Sequence, residues 1–260
     1  MVEDKATAVE AQSDPFSGPA SRLLPLHRSA HGKHSTSVKL IIKATTEMLL
    51  SQGHTTQGII AGGKALQPLN KAEAVEIAGP DRCEFNLLGH VVDALQLLAI
   101  SGPRANQLAE HLGSIVDALT WYRGGTGPFA SVNFDRNHAH TILACAPGEH
   151  PEINTVFGLS IMAPYTRFPD QQQRHPRVMF PLSSGEFKSL SGEWMPATIG
   201  SAIVCVAGRD FAMRCTSTPF LTLWCQKTAS IDLDGYARAT AAEGIRRRRA
   251  RTLSPSASVS

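Results

Sequence analysis

A change of texture at Gly124-Gly125 constrains this chain more than any other feature. From there to Cys225, short apolar runs alternate with breaks carrying Pro and Gly: HAHTILACA, TVFGLSIMA, RVMFPLSS, GEFKSL, SAIVCVA, FAMRCT and PFLTLWCQ. Turn signals recur about every 8–12 residues, which fits an antiparallel sandwich or barrel better than βαβ units. Upstream the period is helical. Leu40, Ile41, Ala44, Met48 and Leu49 share one face of a helix expected over 38–52, with Gly53 as its stop. The segment GIIAGGKALQPLN reads as a break, because it is rich in Gly and carries Pro. Leu87, Leu88, Val91, Val92, Leu95, Leu98 and Ala99 then mark an amphipathic helix over 84–100, ended by Gly102-Pro103. A second helix is expected over 104–119, with Leu108, Leu112, Ile115, Val116 and Leu119 inward. The two would form an antiparallel pair leading into Trp121.

Composition narrows the function classes. At 260 residues and 42% hydrophobic, the chain can bury one sizeable core. No apolar run reaches the roughly 18–20 residues of a membrane helix. Aromatics at 6% do not suggest a stacking surface for single-stranded nucleic acid. The net charge of +3 is concentrated in Arg246, Arg247, Arg248, Arg249 and Arg251, so the basic character belongs to a tail. That tail reads as a solvated extension, with nucleic-acid contact as the less favoured use. The expected organisation is a disordered tail over 1–37, a helical region over 38–120, a β region over 121–228, and a helix with a basic disordered tail over 229–260.

The five cysteines, Cys83, Cys145, Cys205, Cys215 and Cys225, form no CxxC pair, which argues against a zinc ribbon or a thioredoxin-like motif. Three of them lie in apolar stretches, as free thiols in a reducing compartment do. The segment MVEDKATAVEAQSDP starts acidic and lacks an apolar signal core, so a cytoplasmic protein is expected. Nucleophile-elbow, Walker, HExxH and dinucleotide-binding signatures are missing. Gly124-Gly125-Thr126-Gly127 precedes a strand and reads as a linker. His138 and His140 fall on one face of a strand, a plausible metal half-site or a solvent-facing pair. His175 lies in the polar loop DQQQRHPR and His150 in a turn.

Several segments together resemble one family. Gly200 and Gly208 keep the spacing of the second cupin motif, G-x5-P-x-G-x2-H, with Val206 at the proline and Phe211 at the histidine. Phe211 to Arg214 and Pro219 to Cys225 resemble the "HAMR…PLLALWC" ending of the dimethylsulfoniopropionate lyase cupins. Phe168-Pro169-Asp170 resembles their "YPD", and Asn137 to His140 their "N-Y-A-Y". Leu119-Thr120-Trp121 resembles "L-x-W", and Gly158 to Pro164 resembles "GLLLLAPG". The resemblance runs from about Phe85 to Cys225.

The resemblance implies an α+β protein, with N-terminal helices packed on a single C-terminal cupin-like antiparallel β-barrel. It implies β-elimination of dimethyl sulfide from dimethylsulfoniopropionate, leaving acrylate. A divalent transition metal (Fe, Zn, Mn or Ni) would be held by a His-x-His-x3-Glu-x-Tyr run and a later histidine, with the tyrosine as base. In that register Gln171 and Gln173 stand at the two histidines, Arg177 at the glutamate, Met179 at the tyrosine and Phe211 at the last histidine. None of these can act as metal ligand or base in the family's way, so no metal is expected in this chain. Only a relocated set, His138, His140 and His175, would supply donors. Two functions follow: a lyase-like enzyme with doubtful activity, or a non-catalytic cupin module for a small organic acid or sulfonium compound. The expected partner is that small molecule, a homodimer is left open, and no membrane is expected. A third use, assembly through the barrel, has no sequence signal of its own.

Overall fold

The computed structural model describes residues 23–25, 31–51, 55–71, 73–77, 85–123, 129–147, 153–172, 175–189 and 192–229. Gln173, Cys83, His150, the Gly124–Gly127 run and the arginine-rich tail lie outside the described residues. The chain opens with β1 (Leu23–Pro25), α1 (His31–Ser51), α2 (Thr56–Leu66) and β2 (Glu73–Ile77). Then come α3 (Leu88–Ala99), α4 (Pro103–Gly113) and the single turn α5 (Phe134–Asn137). The remaining strands are β3 (His138–Pro147), β4 (Ile153–Met162), β5 (Gln171–Gln172), β6 (Arg177–Pro181), β7 (Gly185–Ser189), β8 (Met195–Ala197), β9 (Ile203–Cys205), β10 (Asp210–Arg214) and β11 (Phe220–Ala229).

Local chemistry explains the helices. α1 buries Val38, Ile41, Ile42, Thr45, Met48 and Leu49, at steps that keep one face apolar. α4 starts on Pro103, whose fixed φ and missing N–H suit a first turn, after Gly102 at φ 143°. The expected second helix ends at Gly113, and a 3-10 turn over Val116–Ala118 completes the segment. The Gly-rich segment read as a break is instead α2. Thr55 caps it, its Oγ1 accepting from the Gly58 N–H at 3.2 Å. A Cβ at Gly62 would meet Leu49 Cδ2 at 2.6 Å and Phe180 at 3.1 Å. The glycine is there because the helix passes close to α1 and β6.

All strand pairs are antiparallel. They form a seven-stranded sheet, β1-β2-β3-β4-β11-β6-β9, and a four-stranded sheet, β5-β10-β7-β8. Helices with antiparallel sheets make the protein α+β. Among the described residues strand pairing gives two open sheets, not the closed barrel expected. After β9 the chain turns through Val206 to Arg209, with Gly208 at φ 72°, and enters the other sheet.

Alternation along each strand divides two apolar clusters. Phe157, Leu159 and Ile161 of β4, with Leu221, Leu223 and Cys225 of β11, share a cluster with Ile41, Leu49, Val91, Leu98 and Leu108. The intervening residues, among them Val156, Met162, Phe220 and Trp224, join Phe211 and Met213 of the second sheet. This second cluster lies between the two sheets and frames the candidate site.

Candidate functional site

Five polar side chains buried between the sheets come from four adjacent strands of the larger sheet. His138 and His140 lie on β3, Ser160 on β4, Gln226 on β11 and Arg177 on β6, all buried. Strand register sets them in rows. His140 faces Ser160, which faces Thr222; Gln226 faces Arg177. Between the rows Trp224 lies opposite both Gly158 and Met179. A Cβ on Gly158 would come within 2.3 Å of the Trp224 ring, so the glycine is what lets that ring lie across β4.

The two histidines do not face solvent. His138 Nδ1 lies 2.5 Å from the Phe134 carbonyl, and its ring stacks on Phe134 at 3.6 Å between centroids. A carbonyl only accepts, so Nδ1 carries the proton and donates. His140 Nδ1 lies 2.7 Å from Ser160 Oγ, and the two imidazole centroids are 5.2 Å apart. Burial holds the His140 pKa well below the ordinary imidazole value, and the nearby His138 and Arg177 push the same way. His140 is therefore neutral at physiological pH. His175 is half-buried in the turn before β6. Among the described residues no group of three or more His, Cys, Asp or Glu side chains is placed to hold a metal.

Arg177 is the largest departure from the implied chemistry. It is only 1% exposed. Its Nε donates to Gln226 Oε1 at 2.9 Å, and its Nη2 donates to the same oxygen. The guanidinium carbon sits 5.6 Å from the Trp224 ring centroid. Met179 and Phe211 are apolar members of the cluster between the sheets. Gln171 pairs with Phe211 across β5 and β10 and is 7% exposed. Both its amide atoms are buried with no hydrogen-bond partner among the described residues. The preceding Asp170 pins this strand to β7, accepting from Arg167 at 2.7 Å and from Lys188 at 2.8 Å. Burial alone would raise the Asp170 pKa, but the hydrogen bonds from Lys188 and Arg167 outweigh it and hold the carboxyl below its ordinary value.

The residues present do not fit the divalent metal that the resemblance implies. An amide, a guanidinium, a thioether and a phenyl ring stand at the described positions to which the resemblance assigns ligands and base. A buried guanidinium also repels a second cation strongly, because screening is weak in the interior. The sequence singled out Gln171, Arg177, Met179, Phe211 and the histidine pair, and all are buried. It did not single out Ser160, Trp224 or Gln226. Their signal was the alternation in INTVFGLSIM and FLTLWCQ, where every second residue faces the histidines.

No curated protein matches the sequence. Among solved structures, a chain from the crystal structures of the DMSP lyases RdDddP and RnDddQII shares 10% identity, with 75% of this chain and 94% of that chain covered and a TM-score of 0.49. The DMSP lyase DddQ from Ruegeria pomeroyi DSS-3 shares 16% identity, with 72% and 92% covered and a TM-score of 0.44. An RmlC-like cupin from Shewanella frigidimarina shares 13%, with 37% and 80% covered and a TM-score of 0.31. The assignment rests on the sequence match: the dimethylsulfoniopropionate lyase model covers residues 86–222, more than half of the chain, and the chain belongs to that family.

Proposed function

We propose that the chain is a non-catalytic member of this family. It binds a small organic acid or sulfonium compound on a cupin-like set of strands, with the helices outside, and does not eliminate dimethyl sulfide. The buried thiols of Cys215 and Cys225 support a reducing, cytoplasmic setting. One observation carries the functional reading: Arg177, a buried cation tied to Gln226, stands where the family's register puts a carboxylate ligand. β-Elimination needs a base over the α proton and stabilisation of the charge that develops as it leaves. Met179 stands at the position of the tyrosine base, and a thioether has no basicity to offer.

A second reading has its own support. His140 is held neutral, so its imidazole could accept a proton in an elimination of different design. Headspace gas chromatography of dimethyl sulfide released from dimethylsulfoniopropionate separates the two. The binding reading predicts release at the level of a protein-free control, with or without added Fe, Zn, Mn or Ni. Release that depends on protein and disappears in His140→Gln would establish the second reading instead.

A further inference from the structure

Resting on that binding reading, we infer that Arg177 and Gln171 together form a metal-independent anchor for the carboxylate of a small organic acid. Three observations converge on this. First, Arg177 places a positive charge between the sheets, and the imidazoles of His138 and His140 buried there add no negative charge. Among the described residues no Asp or Glu is fully buried. Second, the charge of Arg177 is felt beyond its own strand. His140, three strands away across β11 and β4, has its proton affinity lowered chiefly by burial, then by His138, and also by Arg177. An anion entering this space meets a positive field in a medium that screens poorly. Third, Gln171 is more than nine-tenths buried, shares its face with Phe211, and has neither amide atom engaged among the described residues. A buried amide without partners is destabilising unless something completes it, and its N–H groups suit a carboxylate oxygen.

The geometry also keeps the anchor rigid. Gln226 Oε1 and the Trp224 ring fix the guanidinium plane, so little ordering is needed when an anion arrives. Asp170, clamped by Arg167 and Lys188, fixes the residue before Gln171. β5 is the edge strand of its sheet, and Gln172 beside Gln171 is exposed. The Gln171 amide is therefore carried by the edge strand itself, next to an exposed residue. A fixed guanidinium would supply the positive centre that the family's chemistry draws from a metal, and it would do so for binding alone.

Thermal unfolding of the full chain, dialysed against EDTA, tests this. The probes are sodium propionate, neutral propionamide, and trimethylsulfonium chloride, each against sodium chloride at equal ionic strength. Propionate is expected to raise Tm in a concentration-dependent way, while the other two do not. In Gln171→Ala and Arg177→Lys the apparent propionate affinity should fall at least about tenfold, since each loses charge-assisted or geometrically matched hydrogen bonds. Gln171→Ala should fold, because it removes an unsatisfied buried group. Equal protection by propionamide would overturn the anchor. So would undiminished protection in Gln171→Ala, a shift that requires added zinc or manganese, or no shift with any probe. Protection by trimethylsulfonium alone would overturn the anchor and leave the binding reading standing. Protein-dependent dimethyl sulfide release would remove the binding reading, and the propionate titration would still judge the anchor.

Discussion

Replacing Gly158 with alanine tests whether Trp224 is held flat between the sheets. The added methyl would lie 2.3 Å from Trp224 Cζ2, 2.5 Å from Cε2 and 2.6 Å from the Thr141 carbonyl oxygen. Ordinary carbon contacts lie at about 3.5–4.0 Å, so these neighbours would have to retreat by roughly 1 Å. Neither has room. Trp224 is 2% exposed, and Thr141 belongs to the ladder between β3 and β4. Overpacking of this kind costs about 1–3 kcal/mol, offset by about 0.4–1 kcal/mol from the stiffer unfolded chain. The expected net loss is about 1–2 kcal/mol. With a urea m-value of about 2–3 kcal/mol/M, the midpoint should fall by roughly 0.5 M at unchanged m. The near-ultraviolet circular dichroism of the folded protein should also change as the indole moves. Gly63→Ala is the matched control. A Cβ there meets nothing within 4 Å, and the site is inside α2, so stability should rise by up to about 1 kcal/mol. A Gly158→Ala midpoint equal to or above that of the native protein would refute the reasoning.

Three further outcomes follow from the same interior. Arg177→Met leaves the buried Gln226 oxygen without its donor and should cost about 1.5–3 kcal/mol in denaturant unfolding, whereas Arg177→Met with Gln226→Leu should recover part of that loss. His140 is neutral in the fold but charges in the unfolded chain below its ordinary pKa of about 6.5, so the unfolded state binds the extra proton. Stability should therefore fall as pH drops below about 6.5, with a slope approaching about 1.4 kcal/mol per pH unit until the folded-state value is reached. In His140→Gln this component should vanish from the pH–stability curve. Burial raises the thiol pKa values of Cys215 and Cys225, and the Cys215 thiol donates to the Ala163 carbonyl at 2.9 Å. Iodoacetamide at pH 8 should leave both unmodified, by mass spectrometry, until denaturant is added.

Period and alternation made much of the fold legible. The apolar steps of α1, α3 and α4 and the β texture after Gly125 are local signals that packing then reinforced. The α2 segment was not legible, because its glycines answer to close approaches by Leu49 and Phe180, which a one-dimensional pattern does not carry. Strand closure was hidden for the same kind of reason. β9 and β10 join different sheets across the turn at Gly208, and the partners of each strand lie far away in sequence. At the site, alternation placed His138 and His140 on one face, but their depth comes from α5 and β4, which supply Phe134 and Ser160. The substitutions at Gln171, Arg177, Met179 and Phe211 were visible in sequence. That Arg177 is held by Gln226 and Trp224, and so belongs to the interior, required the register of β6 against β11.

Metal content tests the central claim most directly. The full chain, purified without a histidine tag and dialysed, should carry well below one equivalent of Fe, Zn, Mn or Ni by plasma mass spectrometry, because the proposed register puts the fixed Arg177 guanidinium where the family has a carboxylate. One equivalent per chain that survives dialysis and is lost on replacing His138 or His140 with alanine would contradict the account.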